Sequence, residues 1–450
     1  MSDALRGGGA VVAALLAAWG LSRLRVYLDV GAGYKAKALC SAVFGSGRTL
    51  DPQRAPQVHD DSYWLLRPFT ARVDHDARTV TASLVGIRPR TAVHRPGLGS
   101  TLQAVAASLA VVPSLPMPGR ATREWRHAPG PDTLQRFVDH AFTEPNPRRL
   151  RRTYAVVVVH DGHIVAERYA EGITPDMPLP GWSMAKSVLN ALIGLLVRDG
   201  RLALDSRELF PAWTGDDPRA AITLEDLLRM RSGLRFSEVY ANPWSDVLHM
   251  LYRSGDMGGY AASLPLQHRA GSLWSYASGT SNILSLVARR TLGDAAYHAF
   301  PRTRLFDPLG MSSAVMEPDS SGTFVCSSYM MATARDWARY GQLCADGGRV
   351  DGEALLPESW VRFSTSPTPE SDGRYGAHWW LKLNPDIGGE TGAASRIAPD
   401  AFFAVGHEGQ TLSVIPSRKL VVVRLGASIH VDAWNQAEFI AGIQDLVSST

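Results

Sequence analysis

Ser183, Met184, Ala185 and Lys186 place a hydroxyl and an amine three residues apart at the start of an apolar run. On a helix that spacing brings both side chains onto one face, a turn apart. Amides at a helix N-terminus favour negative charge on the serine oxygen. A lysine stripped of water gives up its proton more readily, so the pair can turn an inert hydroxyl into a nucleophile. The pattern alone is weak, because a chain of this composition has roughly one chance in three of holding one. A serine N-cap followed by a surface lysine would read the same way. Context favours chemistry: five of the 46 basic residues are lysines, and Lys186 is the one lysine between Lys37 and Lys382. Its neighbours Val188, Leu189, Leu192 and Ile193 are apolar.

Two later segments carry groups that could complete such a site. Trp274-Ser-Tyr276-Ala-Ser278-Gly279 follows a turn-like stretch and precedes an apolar helix over 282–288. Tyr276 could serve there as a general base or proton shuttle if nearby cations lower its pKa, although taken alone it reads better as a core-packing loop tyrosine. Val405-Gly-His407-Glu-Gly409-Gln410 brings an imidazole to a glycine-rich turn at a strand end. Glycine lets backbone approach a ligand closely, and the amide after Gly409 can donate to an oxyanion.

These residues need elements to hold them. The run 154–160, then Asp161-Gly162, then 163–169 predicts a hairpin on an Asp-Gly turn. A loop with three prolines leads to a helix from Ser183 to Gly200. Residues 205–370 read as mostly helical with long loops. Runs at 402–405, 411–415 and 420–425 read as strands, and 434–447 as an amphipathic helix. Strands near both ends of this region, with helices between, predict one sheet assembled from both ends plus a helical lobe. The segment 26–150, rich in Pro and Arg, predicts a few short strands and no chemical motif.

At 450 residues, 45% hydrophobic with 12 Trp, 13 Tyr and 13 Phe, the chain has ample material for a core, which excludes disorder. A net charge of +3 gives no reason to expect nucleic acid as a partner. Cys40, Cys326 and Cys344 show neither a disulfide framework nor zinc spacing, and no metal or nucleotide motif points to a cofactor. Residues 7–21 are apolar, preceded by Arg6 and followed by Arg23 and Arg25. They suit a signal peptide or membrane anchor over 1–25, hence export, a periplasmic location or membrane association, with a buried helix as the alternative.

The order S-x-x-K, Y-x-S, H-x-G resembles the serine β-lactamase and penicillin-binding-protein superfamily, in its class C-like branch. Ile222–Leu234, Leu305–Met311 and Met331–Gly341 look like its linking segments. The resemblance implies an α+β fold (an α/β sandwich) of the β-lactamase/transpeptidase type over 151–450: an antiparallel sheet flanked by helices, with a mostly helical second lobe. It implies a serine hydrolase acting on a small amide, ester or peptide-like substrate. Ser183 would be the acylated nucleophile, Lys186 its proton acceptor or electrostatic partner, and Tyr276 the general base and acid. Ser278 would contact substrate, and the amides of Ser183 and Gln410, beside Gly409, would hold the oxyanion. His407 stands where β-lactamases and peptidases usually carry Lys. That change weakens the hold on anionic β-lactams and favours esterase or amidase chemistry. Ser232–Tyr240 is similar to 6-aminohexanoate-dimer hydrolases, and Tyr240 would there contact the scissile amide. Other readings are a β-lactamase or DD-peptidase, a catalytically weak peptidoglycan-binding relative, and an α/β-hydrolase, whose G-x-S-x-G elbow Gly181–Ala185 misses by one residue. Loops near 235–270 and 366–400 would set the substrate.

Overall fold

The computed structural model describes residues 2–51, 55, 61–104, 109–110, 115, 123–383 and 392–448. Helix α1 (Ser2–Cys40) leads into a four-stranded antiparallel sheet of β1 (Phe69–Asp74), β2 (Thr79–Leu84), β3 (Ile87–Arg95) and β4 (Gly99–Leu102). Then follow β5 (Arg126–His127), α2 (Asp132–His140), and the hairpin β6 (Thr153–His160) and β7 (His163–Tyr169). Strand β8 (Leu179–Pro180) precedes α3 (Ala185–Arg198). The helical lobe is built on α4 (Asp246–Arg253), α5 (Met257–Ser263) and α6 (Ser278–Leu292). After β9 (Val315–Met316) and β10 (Met330–Ala332) come α7 (Ala334–Ala345), β11 (Phe402–Gly406), β12 (Gln410–Ile415), β13 (Leu420–Gly426) and α8 (Gln436–Ser448).

The main sheet has the order β11-β12-β13-β6-β7-β5, antiparallel except where β5 joins β7. Its two faces follow from strand alternation. Val157, Val159, Val421 and Val423 point toward α3 and α7, while Val156, Val158, Val422 and Phe403 point toward α2 and α8. Because both faces are covered, β6 and β13 read as nearly unbroken valine runs rather than alternating ones. The hairpin turns at Asp161-Gly162 with His160 opposite His163, as the Asp-Gly signal predicts.

α1 runs unbroken through the region around Arg25 where a leader and a separate extension meet in the sequence reading. Leu15, Leu16, Trp19, Leu21 and Leu24 are exposed, whereas residues 28–37 and 39–40 are buried. The buried part lies on β2 and β3, where Ala32, Ala36, Val80, Ala82 and Ala92 are inaccessible to solvent. Among the described residues, no helix is long and apolar enough to cross a membrane. Residues 384–391, within one loop expected to set the substrate, lie outside the described residues.

Candidate active site

Ser183 sits in a 3-10 turn, Trp182–Met184, that opens directly into α3. Trp182 takes φ +49°, the left-handed region that costs an L-residue about 1–3 kcal/mol unless its surroundings hold it. Here they do. The Gly181 amide donates to Met330 O at 2.9 Å, and β8 pairs with β10 on that side. On the other side the Gly181 carbonyl lies so close to Gly406 at the end of β11 that a Cβ there would collide with it. The Ser183 turn is therefore wedged between two strands.

Lys186 is buried, and its Nζ donates to Ser183 Oγ at 3.0 Å, Ser278 Oγ at 3.1 Å and Ser327 O at 2.7 Å. Three partners match the three donors of an ammonium. Burial lowers its pKa to about 8, against an opposing pull from Glu238. Deprotonation leaves two N–H groups and a lone pair. Ser327 O can only accept, and Ser278 Oγ already donates to Glu238 Oε1 at 2.5 Å. The lone pair can then face only the Ser183 hydroxyl.

Tyr276 hydrogen-bonds Ser183, and its ring lies 5.0 Å from Lys186 Nζ. Trp380 stacks on it at 5.5 Å and Tyr375 meets its edge at 5.9 Å. Burial, then the charge of Glu238, pushes the phenol pKa up. Tyr276 is thus a protonated donor at rest. The hydrogen bond from Ser183 offsets only part of that rise.

His407 stacks against Tyr240 at 5.3 Å and meets Trp182 edge-on at 5.4 Å. Burial lowers its pKa to about 4, so it is a neutral imidazole above pH 5. Gly409 takes φ +80°, which a side chain would resist. Arg424, fully buried, donates to Gly409 O at 2.9 Å and Glu408 O at 3.3 Å and so fixes the turn. The Gln410 side chain closes it from the other flank, donating to His407 O at 3.1 Å and Gly426 O at 2.5 Å and accepting from Gly426 N at 2.9 Å. The Gln410 side chain is thereby committed to bracing the turn.

The structure therefore gathers Ser183, Lys186, Tyr276, Ser278, Tyr240 and His407. It places Ser278 differently from the expected substrate contact: the hydroxyl is inaccessible, bridging Lys186 to Glu238. Glu238 itself escapes the sequence reading, as do Arg424 and Trp380. A lone acid in a loop is ordinarily solvated; here Ser278 N at 2.8 Å, Ser278 Oγ and the Tyr240 phenol at 3.4 Å donate to it, and burial raises its pKa. Among the described residues, no group of three or more His, Cys, Asp or Glu is arranged to hold a metal.

An antiparallel sheet with a helical lobe, and a serine–lysine pair on the helix between them, define the class of β-lactamase-type serine hydrolases. The Beta-lactamase family profile matches residues 134–432, and the chain belongs to that family. It is 26% identical over 301 residues to the 6-aminohexanoate-dimer hydrolase of Paenarthrobacter ureafaciens, covering 61% of this chain and 72% of that one. A Bacillus anthracis protein provisionally named a 6-aminohexanoate-dimer hydrolase superposes with a TM-score of 0.54 at 21% identity, covering 80% of this chain and 89% of that one. EstA from Arthrobacter nitroguajacolicus Rue61a superposes with a TM-score of 0.54 at 16% identity, covering 73% and 99%. The protein is a serine hydrolase of the β-lactamase-related kind.

Proposed function

We propose that the protein cleaves an amide or ester through an acyl-enzyme on Ser183. The observation that carries this reading is the 3.0 Å contact between Ser183 Oγ and the buried Lys186 amine. Neutral Lys186 takes the Ser183 proton as Oγ bonds to the substrate carbonyl carbon. The carbonyl π pair moves onto oxygen, where the amides of Ser183 and Gln410 receive it. Collapse breaks the bond to the leaving nitrogen or oxygen, which takes a proton from Tyr276; the Lys186 ammonium then gives its proton to the resulting phenolate, leaving the amine neutral again. Water then attacks the ester, giving its proton back along the same path and releasing the acid. Ser278 and Glu238 hold the ammonium while it exists. With His407 neutral, the site lacks the fixed cation that would hold an anionic β-lactam, so neutral esters and linear amides are the favoured substrates. The amide reading draws support from the name of the Paenarthrobacter relative.

A fluorophosphonate probe tests this on the purified protein. Labelling is expected in the wild type and in Ser232→Ala, and lost in Ser183→Ala. Equal labelling of both variants overturns the assignment of the nucleophile, and an unlabelled wild type favours a binding protein. Short-chain p-nitrophenyl esters and linear amides are expected to turn over faster than a chromogenic cephalosporin.

A further inference from the structure

Residues 15–25 of α1 are exposed without exception before the helix enters the core. Leu15, Leu16, Trp19, Leu21 and Leu24 spread over about 240° of its circumference at 3.6 residues per turn, so they form no single stripe. Three further apolar points surround the place where α1 meets the body. The Arg23 guanidinium lies 5.3 Å from the Trp19 ring centre and 4.9 Å from that of Trp244, which is exposed on the loop before α4, as is Val239. The Tyr27 hydroxyl donates to Leu65 O at 2.7 Å, which sets exposed Trp64 and Leu65 beside the helix. Arg88 donates to Asp29 at 2.5 and 3.0 Å, which brings up the β2–β3 turn with exposed Val85 and Ile87. Apart from Leu273 and Val431, every large apolar side chain that stands exposed among the described residues belongs to these four places.

The β2–β3 turn adds an independent sign. Val85 takes φ +49° and is 81% exposed. A β-branched residue is strained there, where Asn, Asp or Gly fit a turn without cost. No packing within the chain offsets the strain at this tip, since a Cβ on neighbouring Gly86 would meet nothing within 4 Å. The charges around the collar are basic: Arg23 and Arg25 are exposed and, among the described residues, neither forms an ion pair. Val239 lies between Glu238 and Tyr240, so the apolar surface runs up to the loop that carries both.

We propose that this end of the molecule docks on a lipid bilayer bearing anionic headgroups. The start of α1 enters the leaflet, the tips at 64–65, 85–87, 239 and 244 rest in the interface, and Arg23 and Arg25 meet headgroup phosphates. A protein partner covers one stripe of a helix, whereas leucines spread around the helix call for an apolar medium on all sides. Tryptophans at the collar suit the boundary between headgroups and acyl chains, and unpaired arginines beside them suit its negative charge. The proposal extends the contact beyond the N-terminal apolar run to three other segments of the fold, and it does not depend on which residue is acylated.

Co-sedimentation of the purified full chain with phosphatidylcholine vesicles, with and without phosphatidylglycerol, tests it. Binding is expected to be stronger by about tenfold or more when phosphatidylglycerol is present, the scale of two arginines near a charged surface. Val85→Glu and Trp244→Glu, which lie outside α1, are each expected to weaken binding by about tenfold, the scale of one large apolar side chain kept from the interface. Circular dichroism verifies that both variants fold. A wild type that leaves both kinds of vesicle unbound overturns the proposal, as does equal binding to the two. Binding that ignores Val85→Glu and Trp244→Glu leaves the helix as the sole contact and overturns the composite surface. Sedimentation velocity without lipid covers the remaining occupant: a dimer that Trp244→Glu dissociates, in a chain that binds no vesicles, assigns the surface to a second copy instead.

Discussion

In the proposed mechanism Lys186 carries two demands that conflict in water: it must be neutral to take a proton and charged after taking it. Burial answers the first by lowering its pKa to about 8, and Glu238, reached through Ser278, answers the second. With the neutral amine as the proposed working form, acylation is expected to rise with pH through about 8 and level off above it. His407, held at about 4 by burial, adds no inflection near 6.5. Rates of fluorophosphonate labelling between pH 5 and 10 measure this directly. Glu238→Gln removes the charge that favours the ammonium, so its rising limb is expected to move to lower pH; a shift upward would show that Glu238 acts otherwise. Lys186→Ala is expected to slow labelling by about 10²–10⁴, the usual contribution of a positioned base.

At the scale of elements, the site depends on how closely β11 approaches the turn before α3. The absence of a side chain at Gly406 lets the Gly181 carbonyl sit against the strand, and Trp182 is held in its left-handed conformation beside it. Gly406→Ala is expected to push the 181–183 turn off β11 and lower the labelling rate by about a hundredfold, as an ångström of misplacement commonly does. Thermal unfolding of this variant should move by far less than its rate. On the opposite flank, Arg424 ties β13 to the His407–Gly409 turn through two carbonyls, so that turn is braced from within the sheet.

At the scale of the molecule, the buried half of α1 joins the hydrolase core to the four-stranded sheet. Asp29 pairs with Arg88 at 2.5 Å and Arg253 at 3.3 Å, and Lys37 with Glu317 at 2.6 Å. A buried pair broken on one side leaves an uncompensated charge. Glu317→Ala is therefore expected to cost about 3–5 kcal/mol in urea-induced unfolding. Replacing both partners, as in Lys37→Met with Glu317→Leu, is expected to recover part of that loss, because no lone ammonium remains. A double variant no more stable than the single one would show that the pair contributes by packing alone.

The hairpin at 153–169, the C-terminal strands, the helix after Ser183 and the order of serine, lysine, tyrosine and histidine all follow from local chemistry: turn residues, valine runs and helical spacing act over a few positions. The roles of the polar groups do not. Whether Tyr276 rests as base or acid, whether Ser278 meets substrate or bridges two charges, and whether Glu238 is solvated all depend on how much water the fold removes and which charge it sets nearby. The N-terminal apolar run shows the same division. Its composition alone fits a leader, an anchor or a buried helix, and only the seating of residues 28–40 against β2, β3 and α4 makes that part of α1 core. Desolvation and contacts between segments hundreds of residues apart are properties of the folded chain, and they decided what each of these side chains can do.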